Sequence, residues 1–238
     1  LISSYNIGNL TSFKGIEEGV ENSNYRIKTS KGKYILTIFE KRVIKSELPF
    51  FIGLMNHLSK KRFKCPKPIK DKNGNYIREL KNKPCLIVSF IEGGWIKNIN
   101  NNHCQQLGHY LAKLHMATKD FNLNRENNMG KNNWRRLYNN FKDKNKTKFN
   151  DIYKIIEKEI DTLNKRWPKQ LSSGVIHADL FQDNFFFIND KFSGVIDFYF
   201  SCNDFYVFEL AICLNAWCFE RDQSFNITKA RSILKSYQ

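Results

Sequence analysis

The residues at 175–197, VIHADLFQDNFFFINDKFSGVID, limit the fold more than any other stretch. Phe185 to Ile188 reads as a strand, Asn189-Asp190 as a turn and Phe192 to Ile196 as a returning strand interrupted by Gly194. Asn184 and Asp197 are expected to face each other across this hairpin, as a pair with Cα atoms about 5 Å apart. One oxygen from each would then reach the same hard cation. Mg²⁺ typically takes one or two such protein ligands and fills its shell with phosphate oxygens and water.

Asp179 lies five residues before Asn184, on the segment leading into the hairpin. A carboxylate there can accept a hydrogen bond from a substrate hydroxyl and aim it at phosphorus. Phosphoryl transfer asks chiefly for positioning and charge neutralisation, because its transition state is loose, so the base need not be strong.

The chain's 238 residues suffice for one large domain or two lobes with a real core. No apolar run approaches the roughly 18 uncharged residues of a membrane helix, and LISSYNIGNL lacks the features of a secretory leader. The start at Leu1 and the stop inside an amphipathic pattern, RSILKSYQ, read as a fragment. Six scattered cysteines without a C-x-x-C pair suit reduced thiols in a cytoplasm. His57, His103, His109 and His115 lack zinc-ligand spacing. The last three, six residues apart, turn about 240° from one to the next on a helix. The net charge of +16 comes from lysines spread along the chain rather than from one basic stripe. That argues against a nucleic-acid module and leaves a field that welcomes an anionic substrate.

The two halves differ in pattern. Up to about Phe90 the segments KGIEEGVENSNYRIKT, KYILTIF and PCLIVSF read as strands, and Asn73-Gly74 gives a hairpin signal between two extended runs. One helix interrupts them, Ser46 to Lys61, with Leu48, Phe51, Leu54, Met55 and Leu58 at helical spacing and Pro49 in the first turn. After Gly93-Gly94 helical stripes dominate: Leu107, Tyr110, Leu111 and Leu114; Ile152, Ile155, Ile156, Ile160 and Leu163; Leu210, Leu214 and Trp217. Asn122 to Asn133 reads as a loop. The expected fold is α+β and two-lobed. Residues 1–91 would be an antiparallel β lobe with one helix, and residues 92–238 a larger helical lobe carrying the hairpin.

HADLFQDN followed by IDF, with His177, Asp179, Asn184 and Asp197 in that order, resembles the aminoglycoside-phosphotransferase-like kinases, which phosphorylate small molecules on a protein-kinase-like fold. The resemblance implies Asp179 as hydroxyl-orienting base, Asn184 and Asp197 as Mg²⁺ ligands, and His177 as a buried member of the catalytic segment. Glu209 takes the position of the family's aspartate before Leu-Ala and is expected to brace the catalytic loop. Asp183 is expected to be a solvated or turn-forming neighbour.

In the first lobe GIEEGVENSNYRI resembles the phosphate-covering loop but carries only Gly15 and Gly19, so Asn22, Ser23 and Asn24 are expected to offer donors to ATP. Thr37 stands where the family commonly has a phosphate-pairing lysine. Lys41 or Arg42 would have to supply that charge, and Glu47 matches the lysine's paired acid only loosely. Ser89, Phe90 and Ile91 would be the hinge that meets adenine.

Longer phrases, among them GIEEGVENSNYRIKTSKGKYILTIFEKR and AICLNAWCFERDQSFNITKARSIL, resemble the homoserine kinases of this type over nearly the whole chain. That implies ATP and L-homoserine as substrates. Asp204 or Glu220 would meet the ammonium, Arg135 or Arg221 the carboxylate in bidentate fashion, and Tyr199 and Trp217 would wall the pocket. The competing readings are a kinase of the same fold acting on an amino alcohol, a sugar or an aminoglycoside, and a catalytically silent nucleotide-binding protein.

Overall fold

The computed structural model describes all residues except 18–21, 41–43 and 145–149, and the backbone alone of residues 144 and 150. Five antiparallel strands form the first half: β1 (Leu10–Ile16), β2 (Asn22–Thr29), β3 (Gly32–Phe39), β4 (Ile77–Leu80) and β5 (Lys83–Ser89), in the order β1-β2-β3-β5-β4. Helix α1 (Leu48–Lys60) lies against this sheet and buries Leu48, Phe51, Leu54, Met55 and Leu58. It begins two residues later than the pattern predicts, because Lys45–Glu47 wind as a 3-10 turn.

The hairpin in this half turns elsewhere than the sequence suggests. Lys81 and Asn82, both at positive φ (50° and 62°), join β4 to β5, as a tight two-residue turn requires. At Asn73-Gly74 the buried Asp71 overrides the signal. Its carboxylate accepts the N–H groups of Asn73 and Asn75 at 2.9 and 2.8 Å and Arg78 Nη1 at 3.1 Å, closing a turn on itself. Those bonds hold Asp71 below its usual range, that from the Asn75 amide above all.

The second half holds α2 (Asn101–Ala117), α3 (Lys131–Lys144), α4 (Asn150–Arg166), β6 (Ser173–Ile176), β7 (Phe185–Ile188), β8 (Lys191–Val195), β9 (Cys202–Phe205), α5 (Tyr206–Trp217) and α6 (Ile227–Tyr237). Asn100 caps α2 by accepting the His103 N–H at 3.0 Å, and the His103 ring returns the bond. Close packing of α2 on α6 requires Gly108, since a Cβ there would sit 2.2 Å from the Ile233 carbonyl oxygen. The predicted stripe on α4 is mostly wrong. Ile152, Ile155 and Leu163 are exposed, and the helix buries Tyr153 and Ile160 beside Tyr138 of α3.

Strands β6 and β9 pair antiparallel, as do β7 and β8. Phe185, Phe187 and Phe192 point from the β7–β8 hairpin into a core shared with α1, α2 and α5. Each such buried side chain is worth about 1.5–3 kcal/mol. The Gly93-Gly94 linker is pinned to the same hairpin: Gly94 and Phe187 exchange backbone hydrogen bonds of 3.1 and 2.8 Å. Gly93 sits at φ 109°, where a Cβ would meet the Phe187 oxygen at 2.5 Å.

All six cysteines are buried and unpaired, and burial pushes the Cys65, Cys104 and Cys202 thiols up to about 12. Among the described residues no helix is long and apolar enough to cross a membrane.

Candidate active site

A cleft of about 680 Å³ opens between the sheet and the β7–β8 hairpin. Its roof is one face of the sheet. Register pairs Lys14 with Arg26, Arg26 with Ile35, and Asn24 with Thr37, so these side chains share a face. Its floor carries Asp183, Asn184 and Asp197, and its back is the strand end Ser89–Ile91.

The floor is built by strain and by one buried acid. The chain leaves β6 through His177 and Ala178, and Ala178 holds φ 65°, a region that costs a non-glycine residue of order 1 kcal/mol or more. Glu209, in the first turn of α5 and fully buried, accepts the N–H groups of His177 and Ala178 at 3.0 and 2.9 Å. It also lies 2.8 Å from His115 Nε2, whose Nδ1 is 2.8 Å from the Tyr237 hydroxyl. Burial pushes the Glu209 carboxyl upward, but the His115 hydrogen bond, the charges of His115 and His177 and the bond from the His177 amide outweigh it and hold the group below its usual range.

Asp179 therefore follows a fixed backbone. Asn184 Nδ2 donates to its carbonyl at 2.8 Å and to its Oδ2 at 3.1 Å, tying both ends of the x4 interval together. Burial raises the Asp179 carboxyl to about 6; His177 opposes the rise, whereas Asp197 and Asp183 add to it. Asp197 is raised too, chiefly by burial.

The hairpin is not symmetric. Counted from Asn189-Asp190, an unbroken register would set Asn184 opposite Val195; one extra residue in β8 makes Phe185 face Val195 instead, so Ile196 lies opposite Asn184, one residue short of Asp197, and the Ile196 N–H donates to the Asn184 carbonyl at 3.0 Å. Asp197 reaches the cleft by adopting the left-handed conformation (φ 61°, ψ 64°), which aspartate tolerates better than most residues. His177 Nε2 fixes the turn from behind, 2.9 Å from the Ile196 oxygen.

The donors here suit a hard cation. With its NH2 spent on Asp179, Asn184 has Oδ1 as its remaining acceptor, and Asp197 adds a carboxylate in the same cleft. Among the described residues no group of three or more His, Cys, Asp or Glu gathers to hold a metal unaided. Two oxygen donors completed by phosphate and water match Mg²⁺.

Of the predicted nucleotide residues, Asn22, Asn24, Thr37, Ser89, Phe90 and Ile91 line the cleft. Among the described residues the buried Asn22 Oδ1 meets no partner, whereas the Thr37 hydroxyl donates to Asn24 Oδ1 at 2.8 Å. Ser23 faces away and donates to Glu40 at 2.8 Å, as strand alternation dictates once β2 begins at Asn22. Lys41 and Arg42 lie outside the described residues, as does Gly19. Glu47 pairs with Arg125 Nε at 3.0 Å and Asn128 at 3.1 Å rather than with a lysine of the cleft.

The predicted homoserine residues do not converge. Trp217 is fully buried, donates to the Leu180 carbonyl at 2.9 Å and packs edge-on against Phe185, so it belongs to the core. Arg135 of α3 pairs with Glu157 and Asp161 of α4. Glu220 pairs with Lys229 at 2.7 Å, and Arg221 reaches Asn98 at 3.2 Å. Asp204 is held by Asn127 Nδ2 at 2.6 Å. Tyr199 lines the cleft beneath the sheet, edge-on to Phe39 and Phe51. Asp183, set aside by the sequence as a turn neighbour, does line the cleft. Sequence reading also missed Arg125, and of His115 it said only that zinc-ligand spacing is lacking. A buried Glu209 needs a charged partner, and that need was the available signal.

An antiparallel sheet over a floor that carries the Asn184 and Asp197 oxygens, with Asp179 bonded to Asn184 behind them, is the arrangement of a protein-kinase-like phosphotransferase. The model of the phosphotransferase enzyme family (APH) matches residues 12–237. Homoserine kinases are similar along the whole chain: that of Parvibaculum lavamentivorans is 50% identical over 236 residues, covering 99% of this chain and 74% of the relative. That of Bartonella henselae is 47% identical over 237 residues, covering 100% and 74%. Among solved structures, an amicoumacin kinase in complex with AMP-PNP and Ca²⁺ superimposes with a TM-score of 0.80 at 17% identity, covering 99% of this chain and 74% of that one. A spectinomycin phosphotransferase in complex with ADP gives 0.73 at 15%, covering 97% and 75%. The chain belongs to the homoserine kinases of this phosphotransferase family.

Proposed function

We propose that this protein transfers the γ-phosphate of ATP to the side-chain hydroxyl of L-homoserine, giving O-phospho-L-homoserine. The observation that carries this reading is Asp179, locked to Asn184 beside the oxygens of Asn184 and Asp197, in a chain about half identical to homoserine kinases. Asp179 accepts the hydrogen bond of the acceptor hydroxyl and holds its oxygen toward phosphorus. Asn184 Oδ1 and Asp197 would hold Mg²⁺, which neutralises charge on the phosphate oxygens when bound. Asn22 and Asn24 face the phosphates. The Ile91 N–H, free of internal partners among the described residues, meets the adenine edge between Ile35 and Val88.

A coupled assay with ATP, Mg²⁺ and a panel of alcohols tests it. Turnover of homoserine well above choline, a sugar and an aminoglycoside is expected. Turnover of any of these with none of homoserine would overturn the substrate and leave the phosphotransferase reading in place.

A further inference from the structure

With threonine at position 37, the acid ahead of α1 pairs with no lysine among the described residues. Glu47 instead crosses to the helical half, where Arg125 meets it through Nε at 3.0 Å and Nη2 at 3.2 Å. The same guanidinium donates through Nη1 to the carbonyls of Phe200 and Ser201 at 3.3 and 3.1 Å, the residues that end the turn begun by Asp197. Its carbon lies 5.0 Å above the Phe51 ring of α1, which packs edge-on against Tyr199. The Arg125 backbone is held as well, since its N–H donates to Asn203 Oδ1 at 3.0 Å and its carbonyl accepts the Asn203 N–H at 2.7 Å. Both side chains of the ion pair are largely sheltered, at 11% and 18% exposure, where a pair is screened far less than on the surface.

We propose that Arg125 is a positioning residue for the cation-binding segment: it clamps residues 197–201 under α1 and takes the role of a lobe-joining ion pair that position 37 has given up. This rests on the reading of Asp197 as a cation ligand. The planar fork is essential, because only it can serve a carboxylate, two carbonyls and a ring face at once; a lysine offers a single charged point. Arg125 is not among the residues that line the cleft, so its loss should spare homoserine recognition and weaken the cation.

The test measures Mn²⁺–ADP binding by calorimetry, together with kcat and KM, for Arg125→Met, Arg125→Lys, Glu47→Gln and the Glu47→Gln/Arg125→Met double variant. Arg125→Met should weaken Mn²⁺–ADP about fivefold or more and lower kcat about tenfold or more, with the homoserine KM within about twofold. Arg125→Lys should keep the fold, as judged by circular dichroism, yet recover only part of the Mn²⁺ affinity. The double variant should bind Mn²⁺–ADP like Arg125→Met alone, since coupled neighbours are not additive. Unchanged Mn²⁺ affinity in Arg125→Met or Arg125→Lys would overturn the proposal even if thermal stability fell, and so would additive losses in the double variant. A wild-type protein that binds Mn²⁺–ADP but leaves homoserine untouched would instead overturn the substrate reading alone.

Discussion

Floor and roof of the cleft are built on opposite terms. Below it, Ala178 and Asp197 hold left-handed conformations, and a fully buried carboxylate at Glu209 takes up the backbone amides of the loop. Above it, the sheet presents Asn, Thr, Lys and Arg side chains from regular strands, and Asn22 Oδ1 has no partner among the described residues. Strain persists only where surrounding contacts over-determine it, so the floor's geometry is fixed before any ligand arrives. The roof works through which side chains face down. That explains how the chain tolerates threonine at the usual lysine position. Lys14 and Arg26, the described cations of the roof, sit hingeward of Thr37, because Arg26 pairs with Ile35.

The contrast breaks most sharply at Asp179. Asp179→Asn should lower kcat by about 10³-fold while Mg-ATP still binds. It should also raise the melting temperature of the ligand-free protein at pH 7–8. Burial puts the folded pKa near 6, above the unfolded value, so the ionised carboxylate opposes folding and stability rises as pH falls through about 6. The amide removes that opposition, a gain of order 1–2 kcal/mol. Calorimetry and a kinase assay on one preparation read both effects.

Glu209→Gln comes next. It keeps the shape but leaves His115 and the two amides without a charged acceptor, at a cost of about 3 kcal/mol, and kcat should fall by about tenfold or more as the loop loosens. The sign with pH is opposite to that of Asp179. Because Glu209 is held below its unfolded value, its stabilisation is present above about pH 4.3 and is lost as pH falls further. Acid unfolding of the variant should lack that component.

For the wild type, kcat/KM should drop about tenfold per unit as pH falls below about 6, when Asp179 gains its proton. An acid limb unchanged in position in Asp179→Asn would assign it to another group.

On the roof the effects shrink. Thr37→Val removes the hydrogen bond to Asn24 and should cost about 1 kcal/mol, with the ATP KM rising only a few-fold. A collapse in kcat would mean that roof and floor are not separable. Arg135→Met, which loses only the half-exposed pairs with Glu157 and Asp161, should change stability by less than about 1 kcal/mol and leave the homoserine KM unchanged.

These differences also explain what could be read in advance. Asp179, Asn184 and Asp197 were legible because their intervals are set by a short loop and a hairpin, structures local in sequence. The sheet and α1 were legible from periodicity, although the bulge that brings Asp197 within one residue of the position opposite Asn184 was not. Most of the residues expected to meet homoserine lie away from the cleft for a different reason. Nearness to the motif along the chain says nothing about facing, and Arg135, Glu220 and Trp217 each found a satisfying partner within its own neighbourhood. The Glu47–Arg125 pair, separated by 78 residues, depends on how the two halves meet and leaves no trace in local pattern.

The Gly93-Gly94 bridge has a consequence of another kind. Strands β7 and β8 form a two-stranded ribbon whose first strand reads Phe-Phe-Phe-Ile, apolar, uncharged and strongly β-prone. Left open, such an edge is a template for another chain and a seed for aggregation. By bonding both its N–H and its carbonyl to Phe187, Gly94 closes that edge, and Gly93 supplies the clearance that lets the backbone approach. The glycines that look like slack between two halves thus act as a guard on solubility, shielding from intermolecular pairing the segment that carries Asn184.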